Sequence, residues 1–176
     1  EADWPIDTVE FIVGDKIYAC DMSNSTDSAM AYTFLATDTS YQMIKDMAVE
    51  MNLKNVEFVG FQDDMTPFYR KASILCLTSQ TEGWGLCLTE AQANGVIPVA
   101  FASTEAVRYI LSPSGTNGFL IENFDEDAFA AVLVSLAAED DEYIMQLRRN
   151  VVAKAKTYSP DVISGQWKAV FDRLND

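Results

Sequence analysis

Short runs of β-branched and aromatic residues alternate along this chain with longer segments that have the spacing of an amphipathic helix. This alternation predicts a parallel sheet, because a parallel neighbour is reached only through a crossover, which is usually a helix. Helices then cover both faces of the sheet. We therefore predict an α/β fold whose strand candidates are VEFIVG, AYTFLAT, NVEFVGF, SILCLTS, IPVAF and GFLI.

Helices are predicted between these strands and after the last of them. Carboxylates at residues 125–127 suit the start of a helix, where they interact favourably with its dipole. A second helix is predicted at about Asp141–Lys156, and Ser159-Pro160 opens a terminal amphipathic helix that we expect to fold back on the body. The polar stretch Lys16–Ala31 is predicted to be a loop or a short irregular helix. The helices between the strands are predicted at Tyr41–Asn52, Thr66–Ala72, Leu86–Asn94 and Glu105–Leu111.

Size and composition narrow the possible functions. The 176 residues suit one domain with a single hydrophobic core. A net charge of −15 repels nucleic acid, so we expect no nucleic-acid partner. Cys76 and Cys87 stand in apolar surroundings, which favours buried reduced thiols and a cytoplasmic location. Because the chain has no His, neither a His-dependent triad nor a Cys/His zinc site is possible, and we predict no metal site.

The stretch from Thr78 to Phe101 carries the strongest functional signal. It combines the end of a strand, a glycine-bearing loop, a helix and a second strand. Gly83 and Gly85 allow a tight backbone path and the close approach of a ligand. Amide groups at the start of the helix form an anion site at the carboxyl end of the strands, where open α/β sheets bind ligands. The stretch therefore predicts a diphosphate site.

Two carboxylates mark this site: Glu82 in the loop and Glu90 on the helix. The two oxygens of an ionised carboxylate can accept both vicinal hydroxyls of a ribose, and we assign this role to Glu90. Its neighbours are largely apolar, so we expect Glu90 to be partly buried and to need a partner. Glu82 is the candidate catalytic residue, accepting a sugar hydroxyl beside the reacting carbon, while backbone amides from Gly83 to Leu86 hold other sugar oxygens.

The two carboxylates allow two other interpretations. Exposed Glu is common, so both could be ordinary surface acids. A glycoside hydrolase also uses two carboxylates, but these face each other across one scissile bond at roughly 5 to 9 Å. Two acids within one loop and helix more naturally contact the two ends of a long ligand, so a nucleotide-sugar is favoured.

The sequence EGWGLCLTE, continued by AQANG and IPV, resembles the signature of the family-four retaining glycosyltransferases of the GT-B fold, in which seven residues separate two Glu. The resemblance extends from about Thr37 to Arg173 and includes NVEFVGF and NGFLI. It implies a Rossmann-like domain, the C-terminal half of a group 1 glycosyl transferase, whose N-terminal acceptor domain is absent from this chain. It also implies a UDP- or GDP-sugar as donor substrate, without a further cofactor, with Glu82 on the donor sugar and Glu90 on the ribose.

The chain departs from the family pattern where phosphate is bound. A glycine pair before one helix is replaced by Ser103 and Thr104, which could cap that helix and still present amides to phosphate. A glycine-arginine loop and a lysine are reduced to Lys16, a candidate phosphate ligand. Thr37-Asp38-Thr39 replaces a glycine turn. Trp84, between the two glycines, is a candidate contact for the ligand or the acceptor, and Phe61 and Phe68 are candidates to line a nucleobase pocket.

We predict transfer of a sugar from a nucleotide diphosphate sugar to a saccharide or lipid-linked acceptor, with retention, as in cell-surface polysaccharide biosynthesis. The parent protein is expected in the cytoplasm, with peripheral contact at the inner face of the membrane, and the isolated chain is expected to be inactive. The lost phosphate ligands favour an alternative, a non-catalytic module that binds sugar nucleotides or proteins. An epimerase of the same fold would need acids and His that are missing, and a dinucleotide oxidoreductase would need G-x-G-x-x-G after the first strand.

Overall fold

The computed structural model describes residues 8–13, 16–21, 32–33, 45–53, 56–58 and 63–174. Its centre is a parallel sheet of four strands in the order β3-β4-β5-β6. Tyr32 pairs with Ile74, Ile74 with Ile97, and Val99 with Phe119. The predicted parallel α/β sheet is confirmed. The four strands are β3 (Tyr32–Thr33), β4 (Ile74–Leu77), β5 (Ile97–Phe101) and β6 (Phe119–Ile121).

The helices follow the predicted periodic segments closely. Four of them begin at a polar N-cap: Thr104 Oγ1 accepts from Val107 N at 3.4 Å, Asp125 and Asp140 accept from the amides three residues on at 2.9 and 2.8 Å, and Ser159 Oγ accepts from Val162 N at 3.5 Å. Such caps satisfy amides that have no partner within the helix. The helices are α1 (residues 45–50), α2 (Thr66–Tyr69), α3 (Leu86–Ala93), α4 (Glu105–Leu111), α5 (Glu126–Ala138), α6 (Asp141–Lys156) and α7 (Pro160–Leu174).

Both faces of the sheet are buried, as a parallel sheet requires. Along β4, Ile74 and Cys76 face a core that α5 and α6 cover, with Phe129 and Leu133 among its members. Leu75 alternates with them and faces the opposite core, which α2, α3 and α4 cover. Because β4 and β5 are parallel neighbours, their carboxyl ends lie at one edge, where the chain enters α3 and α4. The glycine loop and the Ser103–Thr104 turn therefore share this edge.

The N-terminal strands correct two predictions. The strand β1 (Thr8–Val13) pairs antiparallel with β2 (Lys16–Asp21) in a separate sheet, so VEFIVG is a strand outside the parallel sheet. The expected loop or irregular helix at Lys16–Ala31 is wrong for residues 16–21. Two runs of β-branched and aromatic residues flank Gly14-Asp15, a dipeptide typical of hairpins. Residues 56–58 of NVEFVGF also lie outside any strand.

The terminal helix α7 corrects a third prediction, because the part of the chain that the structure describes does not bury its apolar side. None of its residues is buried, and Trp167 and Phe171 are 58% and 56% exposed. Their rings stack on each other at 5.8 Å. The first two turns, through Val162, Ile163 and Gln166, line a groove against the body. An amphipathic stripe shows that one side of a helix is apolar, but it does not identify what covers that side.

Candidate functional site

The two glycines of the β4–α3 loop have different structural roles. Gly85 is the N-cap of α3 and has φ of 80°, in the left-handed region that favours glycine. A Cβ at Gly85 would lie 3.1 Å from Leu88 Cδ1. A Cβ at Gly83 would meet no atom within 4 Å. The backbone conformation therefore requires glycine at Gly85, whereas Gly83 borders open space.

The first turn of α3 lies at the open edge of the sheet. Gly85 supplies no side chain to cap it, and the Leu88 amide donates back to the Gly85 carbonyl at 3.0 Å. Leu86 is 67% exposed, so its side chain leaves this edge uncovered. The assignment of the amides from Gly83 to Leu86 to sugar or phosphate oxygens stays a prediction.

Besides burial, the carboxylates Glu82 and Glu90 both raise the pKa of the Cys87 thiol. Burial raises the pKa of the Cys87 thiol to about 11, and the negative charges of Glu82 and Glu90 add to that shift. Cys87 is half-buried and free, whereas Cys76 is buried and free, as predicted. The two acids, which seven residues separate in sequence, therefore both contribute to the environment of one side chain.

Glu90 differs from its prediction in one respect. It is exposed rather than partly buried, because α3 turns Leu88, Ala91 and Gln92 inward and leaves Glu90 on the outer side. It does have a partner, since the Tyr69 hydroxyl donates to Glu90 Oε2 at 3.1 Å. Burial raises the pKa of the Tyr69 phenol well above its ordinary value, and the charge of Glu90 adds to this. The phenol therefore stays a protonated donor at ordinary pH.

Trp84 belongs to an aromatic cluster. Its ring contacts Tyr158 edge to face at 5.6 Å and Tyr109 at 6.2 Å. It lies at an open groove of about 680 Å³, which the first turn of α7 also lines. These contacts account for the position of the ring, so the predicted contact of Trp84 with ligand or acceptor stays a prediction. Phe68 is half-buried, and Phe61 lies outside the described residues.

The predicted phosphate ligands Ser103, Thr104 and Lys16 differ in their positions and in their hydrogen bonds. The hydroxyl of Thr104 caps α4, whereas Ser103 Oγ is buried and has no hydrogen-bond partner among the described residues. Arg108 lies 3.9 Å from Glu122 in an exposed ion pair. Lys16 pairs with Val13 in the hairpin, so it does not follow a strand of the parallel sheet as expected. Its side chain, and Thr37-Asp38-Thr39, lie outside what the structure describes.

The candidate site is built from carboxylates, hydroxyls and backbone groups. Within the described ranges, no three Asp, Glu or Cys side chains are grouped in a way that could hold a metal ion. In the same part of the chain, no helix combines the length and the apolar character needed to cross a bilayer.

Residues 32–158 match the family model of glycosyl transferases group 1. The chain belongs to this family. The match contains the loop and helix that carry Glu82 and Glu90, together with Ser103 and Thr104, and it excludes Lys16. The resemblance inferred from EGWGLCLTE is therefore confirmed.

Relatives of this glycosyl transferase domain are considerably longer. A protein of Haemophilus influenzae named "Uncharacterized glycosyltransferase" is 29% identical over 128 residues, 72% of this chain and 36% of that protein. The D-inositol 3-phosphate glycosyltransferase of Corynebacterium glutamicum is 28% identical over 137 residues, 77% of this chain and 31% of that protein. The poly(glycerol-phosphate) alpha-glucosyltransferase of Bacillus subtilis is 24% identical, over 76% of this chain and 20% of that protein. The chain thus spans about a third or less of these relatives.

Solved structures confirm the fold. Anabaena HepE in complex with UDP and glucose matches with a TM-score of 0.62 and 23% identity, over 77% of this chain and 36% of that one. Sucrose-phosphate synthase from Thermosynechococcus elongatus matches with a TM-score of 0.66 and 26% identity, over 77% and 34%. The C-terminal domain of a group 1 glycosyl transferase, LpcC of Francisella tularensis, matches with a TM-score of 0.57, over 68% and 62%. The domain has the fold of a GT-B C-terminal domain.

Proposed function

We propose that this domain binds the nucleotide diphosphate sugar of a retaining group 1 glycosyltransferase. The observation that carries the proposal is that Glu82, in the β4–α3 loop, and Glu90, on α3, flank the open first turn of α3 at the carboxyl edge of the parallel sheet. A ligand that reaches both acids is long and has hydroxyls at two separate places, as a nucleotide-sugar has in its ribose and its sugar. The open space beside Gly83 lets such a ligand approach the backbone.

Each of the two carboxylates binds one end of the nucleotide-sugar. Glu90 accepts the vicinal hydroxyls of the ribose, and Glu82 accepts a hydroxyl of the sugar beside the reacting carbon. The amides from Gly83 to Leu86 and the unpartnered hydroxyl of Ser103 are the available hydrogen-bond donors for sugar and phosphate oxygens. Stabilisation of the leaving diphosphate by such fixed donors is the main chemical contribution of this domain.

The complete protein transfers the sugar to a saccharide or lipid-linked acceptor. The Bacillus subtilis relative is named for poly(glycerol-phosphate) and the Corynebacterium relative for D-inositol 3-phosphate, which are both polyol phosphates. This supports an acceptor hydroxyl on a polyol or sugar and a role in cell-surface polysaccharide biosynthesis, in the cytoplasm at the inner face of the membrane. An N-terminal domain outside this chain holds the acceptor, so the chain alone binds the donor without turnover.

Calorimetric titration with UDP, GDP and ADP, followed by the matching sugar conjugates, tests donor binding. We expect one nucleotide to bind and Glu90→Ala to weaken its binding by about tenfold to a hundredfold, because the ribose hydroxyls lose a charged acceptor. Glu139→Ala, at the exposed end of α5, is the matched control and should bind as the wild type does. Equal nucleotide affinity in Glu90→Ala and the wild type would refute the assignment of the ribose site.

A non-catalytic module is the second candidate. Two observations favour it: the hydroxyl of Thr104 is used to cap α4, and Lys16 lies in the hairpin rather than after a strand of the parallel sheet. Such a module would carry too few phosphate ligands to hold a leaving diphosphate. An assay of the parent protein distinguishes the two functions. An enzyme releases nucleoside diphosphate when donor and acceptor are present, whereas a non-catalytic module does not.

A further inference from the structure

We propose that Tyr69 is a positioning residue that fixes the Glu90 carboxylate in the orientation needed to accept the two ribose hydroxyls. This inference rests on the proposed function, because it concerns how the ribose acceptor is held. Tyr69 lies at the end of α2, whereas Glu90 lies on α3, after the whole of β4 and the glycine loop. Their hydroxyl and carboxylate nevertheless meet at 3.1 Å.

The Tyr69 ring is held rigidly. Tyr69 is only 4% exposed and packs in the core between the sheet and α3, together with Leu75, Leu88 and Ala91. A buried aromatic ring in a close-packed core has little rotational freedom, so its hydroxyl has a defined position. Leu88 and Ala91 lie on the same helix as Glu90, so the helix that carries the carboxylate packs in the same core as the Tyr69 ring.

Glu90, in contrast, would be mobile without this contact. It is exposed, and among the described residues no Lys or Arg side chain forms an ion pair with it. An exposed Glu loses rotamer freedom when it binds a ligand, and this loss weakens binding. A hydrogen bond from Tyr69 restricts the carboxylate before the ligand arrives.

The hydrogen bond also determines which lone pairs remain available. The phenol donates to Oε2 and occupies one acceptor position there, which leaves Oε1 and the second position of Oε2. Two vicinal hydroxyls need two acceptor positions on one side of a carboxylate. Tyr69 therefore orients Glu90 without competing for both of its oxygens.

A purely structural role would give a different result. If the hydrogen bond only tied α2 to α3, its removal would lower the affinity for every nucleotide equally or for none. If Tyr69 positions Glu90 for the ribose, its removal matters only when the ribose hydroxyls are present. The ratio of affinities for a ribonucleotide and its dideoxy analogue therefore distinguishes the two roles, and it does not depend on the fraction of folded protein.

The experiment measures binding of UDP and of 2′,3′-dideoxy-UDP to the 176-residue chain by calorimetry, with the guanosine or adenosine pair used if GDP or ADP is the nucleotide bound. We expect Tyr69→Phe to weaken UDP binding by about tenfold, the lower end of what one hydrogen bond to a charged group contributes, and to leave dideoxy-UDP binding unchanged. In the Glu90→Ala background, Tyr69→Phe should have no further effect. Tyr143→Phe, on the half-exposed side of α6, is the matched control.

Glu90→Asp provides a second, independent variant. It keeps the charge but shortens the side chain, so the carboxylate moves out of reach of the Tyr69 hydroxyl and should lose the same selectivity for UDP over dideoxy-UDP. If Glu90→Ala weakens binding while Tyr69→Phe and Glu90→Asp keep the wild-type selectivity, the positioning role is wrong and the proposed function stands. If the wild type binds none of UDP, GDP and ADP, the proposed function fails, and the positioning role fails with it.

Discussion

The side chain of Gln92 offers a sharp test of how α3 is held in the domain. Gln92 is fully buried, and its Nε2 donates to the carbonyl of Asn117 at 2.8 Å and to the carbonyl of Ile110 at 3.3 Å. Ile110 lies in the last turn of α4, where carbonyls have no partner within the helix. Replacing Gln92 with Met keeps the length of the side chain and removes both hydrogen bonds.

The expected loss of stability follows from the groups left without a partner. Each buried polar group that loses its partner costs about 1 to 3 kcal/mol, and the longer of the two bonds belongs at the lower end of this range. Gln92 Oε1 is itself buried without a partner among the described residues, so removing it offsets part of the loss. We expect the free energy of unfolding to fall by about 2 kcal/mol, equivalent to a melting temperature about 4 to 8 °C lower for a domain of this size.

Urea and thermal unfolding followed by circular dichroism measure this loss. Gln146→Met is the matched control, because Gln146 is exposed on α6 and its side-chain partners among the described residues, Asn150 and Arg149, lie on the same helix. We expect the control to change stability by less than about 0.5 kcal/mol. If Gln92→Met and Gln146→Met are equally stable, the bridge from α3 to α4 and to the turn before β6 contributes nothing measurable, and the argument is refuted.

Two further predictions concern the glycine loop and the response to alkaline pH. Gly85→Ala should lower the free energy of unfolding by about 1 to 2 kcal/mol in urea titrations, because its φ of 80° is strained for any residue with a Cβ. Gly83→Ala should leave stability unchanged and weaken nucleotide-sugar binding in calorimetry, and undiminished binding would show that no ligand approaches there. Burial raises the pKa of Cys76 from 9.0 to about 12, so the folded state holds this proton more tightly than the unfolded state does. The resulting stability is present below about pH 9 and is lost as the pH rises towards 12. Cys76→Ala should reduce this fall in the free energy of unfolding between about pH 9 and 12. An unchanged fall would contradict the role of the buried Cys76 thiol.

The local sequence determined the parts of the fold that depend on near neighbours. The bounds of α4 and α6 agree with the predicted ones, because helical periodicity and polar caps act within a few residues. Two runs of β-branched and aromatic residues separated by Gly14-Asp15 are likewise a local signal for the antiparallel pairing of β1 with β2. The polar residues that follow indicate a loop, and this second local signal predicts the wrong structure for residues 16–21.

For the candidate site, the local pattern is enough to place two Glu in a glycine loop and on the following helix, because their spacing and the strand–loop–helix order are properties of one short segment. The pairing of Tyr69 with Glu90, the exposure of Glu90 and the apolar side of α7 that the described residues leave uncovered become visible in the folded domain alone. These features depend on which elements pack together. Periodicity shows that a helix has an apolar side, but contacts between residues distant in sequence arise only when the sheet brings their elements to one edge.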